Sequence, residues 1–322
     1  MNITTNSTDT GQAGLETAFL ISGIFLSVVC PLTVLANSLL IIAIYRDPLK
    51  TFRTPASCFL VGLAITDLVT GLVPEPMVTT CYFMYYNQHP KVAQCTKIFE
   101  IAGIVAAITT NASYFIVLAF TTTQYVAVAF PLKFNRLISV RKTMACVAIM
   151  LLYATLFELT RFMGVPQEVV EKIDLHLHST FSLLLTIIIY LLLQKAFYSQ
   201  MAERSATLST TNTQSMQLSE ERLDAIPKEQ DQKRRRPAVE KNFVRLNLLL
   251  IMILLVCSQP SAMLWYVYLY GGEAIKKSQT LFYIRVTVEN TLYLKFLLDP
   301  FVFAWRLPKY RKALKRAFYR DG

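Results

Sequence analysis

Leu294-Lys295-Phe296-Leu297-Leu298-Asp299-Pro300-Phe301-Val302-Phe303-Ala304-Trp305-Arg306, followed by Leu307-Pro308-Lys309-Tyr310-Arg311-Lys312-Ala313-Leu314-Lys315-Arg316, is the stretch around which the whole chain is read. Its first half is apolar, with two charges and a proline inside it. Its second half is short, basic and amphipathic. A membrane helix that meets water and then turns along the surface has this pattern.

The totals agree with that reading. Hydrophobic residues make up 54% of the chain and charged residues 16%, a balance unlike that of soluble domains. The apolar excess arrives in seven blocks, over about residues 17–45, 54–80, 98–130, 143–161, 177–197, 246–272 and 281–305, each long enough to cross a bilayer. Helices are expected, because in lipid every backbone group must be bonded within its own segment. The fold class is therefore an all-α membrane protein. It is expected as a seven-transmembrane helix bundle (18–305) with a short amphipathic eighth helix in 306–322. Pro74, Pro260 and Pro300 are expected to kink their helices, with Pro260 and Pro300 as hinges.

Net charge is +11. A nucleic-acid binder shares that balance but not blocks too apolar to leave a bilayer, so the charge points to a cytosolic membrane face and its lipids. The loops after blocks one, three and five, with the C-terminal tail, hold three quarters of the 32 Lys and Arg residues. The N-terminus is thus expected outside the cell and the C-terminus in the cytosol. Asn2-Ile3-Thr4 and Asn6-Ser7-Thr8 then fall outside as glycosylation acceptors within an extracellular N-terminus, 1–17. The long polar stretch 199–241 is expected to be disordered. Of the six Cys, only Cys81 and Cys95 sit near polar sequence. No His/Cys cluster has metal spacing, and no nucleophile–base set is readable. No metal, no cofactor and no enzyme activity are expected.

Short motifs recur at the block ends. They are Leu35-Ala36-Asn37, Leu63-Ala64-Ile65-Thr66-Asp67-Leu68, Tyr125-Val126-Ala127-Val128-Ala129-Phe130-Pro131-Leu132, Tyr190, Cys257-Ser258-Gln259-Pro260 and Asp299-Pro300-Phe301-Val302-Phe303. In this order and at these places, they resemble the signature positions of rhodopsin-like (class A) G-protein-coupled receptors, from about Ala18 to Phe318. There are departures from the pattern. Thr123-Gln124-Tyr125 stands where the family has Asp-Arg-Tyr, Ser258 where it has Trp, and Phe303 where it has Tyr. The helix-four Trp and helix-five Pro are absent, and no Cys lies between blocks four and five. The usual disulfide from that loop therefore cannot form. A bridge between Cys81 and Cys95 is the substitute that the resemblance leaves.

The resemblance implies a plasma-membrane receptor for an unidentified extracellular ligand, acting on a heterotrimeric G protein. It places the ligand among Ala106, Thr110, His178, Ser261, Trp265, Glu289 and Tyr293. Ala106 stands where amine receptors carry an Asp, so the usual amine anchor is missing. Glu289 either binds a cation instead or pairs with Arg285, four residues earlier. The face toward the G protein is implied to comprise Thr123, Gln124, Tyr125, Tyr190, Arg245 and Arg306. Gln124 lacks the charge of the family's Arg, which leaves coupling open.

An internal polar network of Asn37, Asp67, Ser113, Lys295 and Asp299 is implied as well. In the family this Asp holds sodium. Here the Lys295 ammonium is expected to take that position and bridge Asp67 to Asp299. The alternative is that Lys295 points to the helix boundary and neutralises Asp299 alone. A retinal site is not expected. The opsin lysine lies seven residues before the motif proline, which is Tyr293 here, whereas Lys295 lies five before. Two residues turn a helix by about 200°. Two rival functions stay open: a receptor-like scaffold that does not activate G proteins, and a small transporter using Asp67, Lys295 and Asp299 as an ion relay.

Overall fold

The computed structural model describes residues 9–46, 53–218, 242–272, 275, 278–306 and 310–312. Seven long helical rods stand among these residues. They are α1 (Asp9–Arg46), α2 (Pro55–Leu72 continued by Pro74–Tyr86), α3 (Cys95–Ala129), α4 (Val140–Leu159), α5 (Gln167–Ile173, Asp174–Phe181 and Ser182–Leu218 in one run), α6 (Asn242–Tyr270) and α7 (Gln279–Arg306). The first six are long and apolar enough to cross a membrane by length and composition. α7 has Arg285, Glu289, Lys295 and Asp299 spread along its length, whereas each of the other six keeps a long apolar window with few charges. The end holding Arg46, Ala129 and Arg306 is called inner below, after the charge bias, and the opposite end outer.

α3 is the central post, packed against α2, α4 and α5, while α1 lies against α2 and α7. The inner core joins Leu60, Leu63, Phe120, Tyr190, Leu250 and Phe303. The outer core joins Phe19, Val78, Tyr82, Val286, Tyr293 and Phe296. Gly62 permits the close approach of α2 to α4, since a Cβ there would sit 2.7 Å from Val147 Cγ1.

The prolines act where their chemistry requires. Val73, just before Pro74, leaves helical geometry at φ −120° and ψ −71°, and the helix resumes at Pro74. In α6 the turns before Pro260 widen into a π-helical stretch, Leu254–Ser258. In that stretch the Cys257 carbonyl accepts a hydrogen bond from Thr291 Oγ1 of α7 at 3.1 Å. Pro300 sits inside α7, and Pro31 inside α1, without ending the helix. α5 carries a second π-helical stretch, Asp174–Phe181, where the expected proline is missing.

Two boundaries differ from the sequence reading. α5 continues as helix to Leu218, across the first half of the stretch 199–241 expected to be disordered. That stretch contains no Gly or Pro, and nothing in it stops helical propagation. α1 begins at Asp9 rather than near residue 17. Asn2 and Asn6 lie outside the described residues. So does most of the expected eighth helix, of which Tyr310 is helical and buried in the inner core.

Candidate functional site

The middle of the bundle holds a fully buried ionic cluster. Lys295 is 1% exposed and Asp67 0%. Lys295 Nζ donates to Asp67 Oδ1 at 3.0 Å and to Ser113 Oγ at 2.9 Å. It also lies 3.1 Å from Asp299 Oδ2, one turn along α7. One ammonium thus ties α2, α3 and α7 together. Its neighbours extend the seam. Thr66 Oγ1 meets Ser113 Oγ at 3.1 Å, and Thr70 Oγ1 donates to Thr109 Oγ1 at 2.8 Å. Asn37 Nδ2 donates to the Phe296 carbonyl at 3.0 Å, fastening α1 to α7. Of the five residues expected to form an internal network, Asp67, Ser113, Lys295 and Asp299 are joined directly, while Asn37 bonds the backbone of Phe296 beside them. The reading in which Lys295 served Asp299 alone does not match this geometry. A charge here is costly unless paired and hydrogen-bonded, and the ammonium meets both conditions.

The outer positions are not gathered into one cavity. Ser261, Trp265 and Glu289 line a void of only about 10 Å³ with Tyr268 and Arg285. Arg285 fills the space: its Nε lies 2.7 Å from Glu289 Oε1 and its guanidinium 4.5 Å from the Trp265 ring centre. The local Arg285–Glu289 pair is thus the arrangement found. Tyr293 belongs to the outer apolar core. Ala106 is buried and Thr110 half-buried on α3. His178 lies elsewhere, fully buried between α3, α4 and α5. Its Nε2 is 3.0 Å from Tyr153 Oη, its Nδ1 3.2 Å from Asp174, and its ring packs edge-on against Phe157. The π-helical stretch explains the misplacement, because an extra residue per turn rotates the faces that regular spacing would align.

At the inner end, Thr123 and Tyr190 are buried, Gln124 and Tyr125 half-buried, and Arg245 exposed. Tyr190 Oη accepts from Gln194 Nε2 at 2.7 Å and shares the inner core with Phe303. Arg306 closes α7, and its side chain lies outside the described residues. Cys81 and Cys95 are both fully buried free thiols, and Cys95 Sγ lies 3.8 Å from Met84 Sδ.

Some polar groups escaped the sequence reading. Gln259 Nε2 donates to Tyr114 Oη at 3.0 Å and lies 3.4 Å from Ser179 Oγ, joining α3, α5 and α6. Asn111 donates to Asp174 across α3 and α5. Glu75 is 0% exposed beside Thr33, with neither carboxylate oxygen well hydrogen-bonded. Only Glu75 carried a signal in sequence, as an acid inside an apolar block. Among the described residues no cluster of metal-ligating side chains occurs.

A helical membrane bundle with a buried ionic seam across three of its helices is the class that fold and site define. The profile of the 7 transmembrane receptor (rhodopsin family) matches residues 36–303, and the chain belongs to that family. By fold it is similar to squid rhodopsin, with a TM-score of 0.76 at 15% identity, covering 94% of this chain and 86% of that one. By sequence it is 29% identical over 106 residues to the thyrotropin-releasing hormone receptor of Gallus gallus, a match covering 33% of this chain and 25% of that protein. It is 36% identical over 78 residues to a G0-coupled rhodopsin of Mizuhopecten yessoensis, covering 24% of this chain and 19% of that protein. It is also 28% identical over 115 residues to the melatonin receptor type 1A of Gallus gallus, covering 36% and 31%. The matched segments span less than a third of each of these curated relatives.

Proposed function

We propose that this multi-pass membrane protein is a plasma-membrane receptor whose N-terminus faces outward and whose inner end meets a heterotrimeric G protein. An extracellular ligand shifts it between two helix arrangements. The observation that carries this reading is the Lys295 tie. A single buried ammonium holds α2, α3 and α7 at 3.0, 2.9 and 3.1 Å, so separating these helices strands opposite charges in lipid. That gives the bundle two discrete states rather than a continuum. Pro260 and Pro300 are the hinges, and the widened turn at Leu254–Ser258 supplies slack in α6.

In this reading Lys295 is the resident cation of the cluster. The purified receptor should unfold at the same temperature in sodium and in choline buffer, and specific stabilisation by sodium would sink the assignment. A second reading is favoured by Gln124, which stands at the family's Arg position without a charge: a receptor-like scaffold that does not activate G proteins. Nucleotide exchange on a panel of G proteins separates the two readings. Exchange by the wild type supports coupling. Exchange by Gln124→Arg alone supports the scaffold.

A further inference from the structure

A groove of about 760 Å³ opens between α3, α4 and α5. It begins at Lys142, at the inner end of α4, and ends at Tyr153 and His178. Those eleven residues of helix rise about 16 Å, close to the roughly 15 Å thickness of one leaflet's hydrocarbon. Exposed apolar side chains rim it, with Ile149 65% and Phe181 55% exposed. Its back wall is low because Ala119, Thr122 and Cys146 are small. Thr122 and Thr143 turn their hydroxyls onto their own helices, at 2.8 Å to the Leu118 carbonyl and 3.0 Å to the Ser139 carbonyl. Their methyl groups are left for the groove. The Tyr153–His178 hydrogen bond closes the far end at 3.0 Å.

The mouth is cationic. Lys142 Nζ donates to the Leu137 carbonyl at 3.1 Å and to that of Arg136 at 3.5 Å. An ammonium has three donors, so one remains for an acceptor at the mouth. Arg136 and Arg141 are exposed nearby, and no acidic residue occurs anywhere between Phe130 and Tyr153.

We infer that this groove seats one acyl chain of an anionic phospholipid from the inner leaflet, with its headgroup held by Lys142, Arg136 and Arg141. The length matches one leaflet, the walls match a hydrocarbon chain, and the mouth matches a negative head. The bound lipid wedges α4 against α3 next to Thr123 and Gln124, and so bears on the inner end of α3. The site rests on the membrane-bundle reading alone and needs neither G-protein coupling nor a known ligand.

The full chain, in nanodiscs of phosphatidylcholine with phosphatidylserine, is transferred to mild detergent, and the retained lipid is counted by native mass spectrometry. Wild type should favour phosphatidylserine by roughly fivefold or more, fivefold being the worth of one cation near an anionic head. Lys142→Gln should lower that preference, and Lys142→Gln combined with Arg136→Gln and Arg141→Gln should bring it to parity. Ala119→Phe fills the groove yet keeps every cation, and should also fall to parity. If Ala119→Phe does not fold, Cys146→Phe fills the groove from α4. Equal retention of both lipids by wild type overturns the proposal, as does a preference that survives in the filled groove. Both leaflets carry the same mixture, so the result does not depend on chain direction.

Discussion

Lys295 and Arg285 stand on the same helix and meet opposite fates. Lys295 is fully buried and reaches partners on two other helices. Arg285 is partly exposed and pairs one turn along its own helix with Glu289, under the Trp265 ring. The middle of the bundle is therefore joined by long-range ionic contacts. The outer end is filled by a local pair. In lipid a mid-membrane charge has no water to fall back on and must find a partner on another helix, while a charge near the boundary can settle for a neighbour.

The first way to break this contrast is Lys295→Ala. It leaves Asp67 and Asp299 buried without their cation, and a loss of about 3–5 kcal/mol is expected, read as a fall in thermal unfolding midpoint of the purified protein. Adding Asp67→Asn and Asp299→Asn to it should recover much of that loss. An unchanged midpoint for Lys295→Ala alone would show that the seam is no tie. Next in size is the link at the outer end between α2 and α3. We propose that Cys81 and Cys95, both fully buried at the outer end, form a disulfide in the exported protein. A loop of this length gives about 3 kcal/mol. A non-reducing peptide map should show the bridge, and full thiol labelling of the unfolded, unreduced protein would exclude it.

Glu75 sharpens the contrast with the opposite sign. It is buried like Asp67, but among the described residues no cation pairs with it. Glu75→Leu should therefore stabilise by about 1 kcal/mol, raising the unfolding midpoint where Lys295→Ala lowers it. A lowered midpoint would mean that Glu75 has a partner at the α1–α2 contact. The smallest effect belongs to Arg285→Gln. A part-exposed pair is worth at most about 1 kcal/mol, so stability should barely move. The void beside Trp265 should open, though, and quenching of its fluorescence by a soluble quencher should rise.

What was legible in the sequence tracks this same division. Asp67, Lys295 and Asp299 are charges in apolar blocks, with Asn37 and Ser113 at helix positions the resemblance placed beside them. One buried charge needs another, so their meeting could be expected. The helix through residues 199–218 was not legible, because a polar composition reads as loop while helical propagation needs only the absence of a stop. His178 faces α3 and α4 rather than the other outer positions because it sits inside the π-helical stretch of α5, which leaves no mark in composition; the outer cavity is filled by Arg285 instead.

The sequence by itself determined the membrane helices, the family and the middle ionic cluster, since bilayer thickness and buried charge restrict what such residues can do. Only the tertiary structure decided that Arg285 closes the outer void and that small side chains on α3 and α4 leave a lipid-sized groove. It alone decided, too, that Gln259, Tyr114 and Ser179 meet. Those outcomes depend on how wide helices pack side by side, a sum over many weak contacts that no single residue announces.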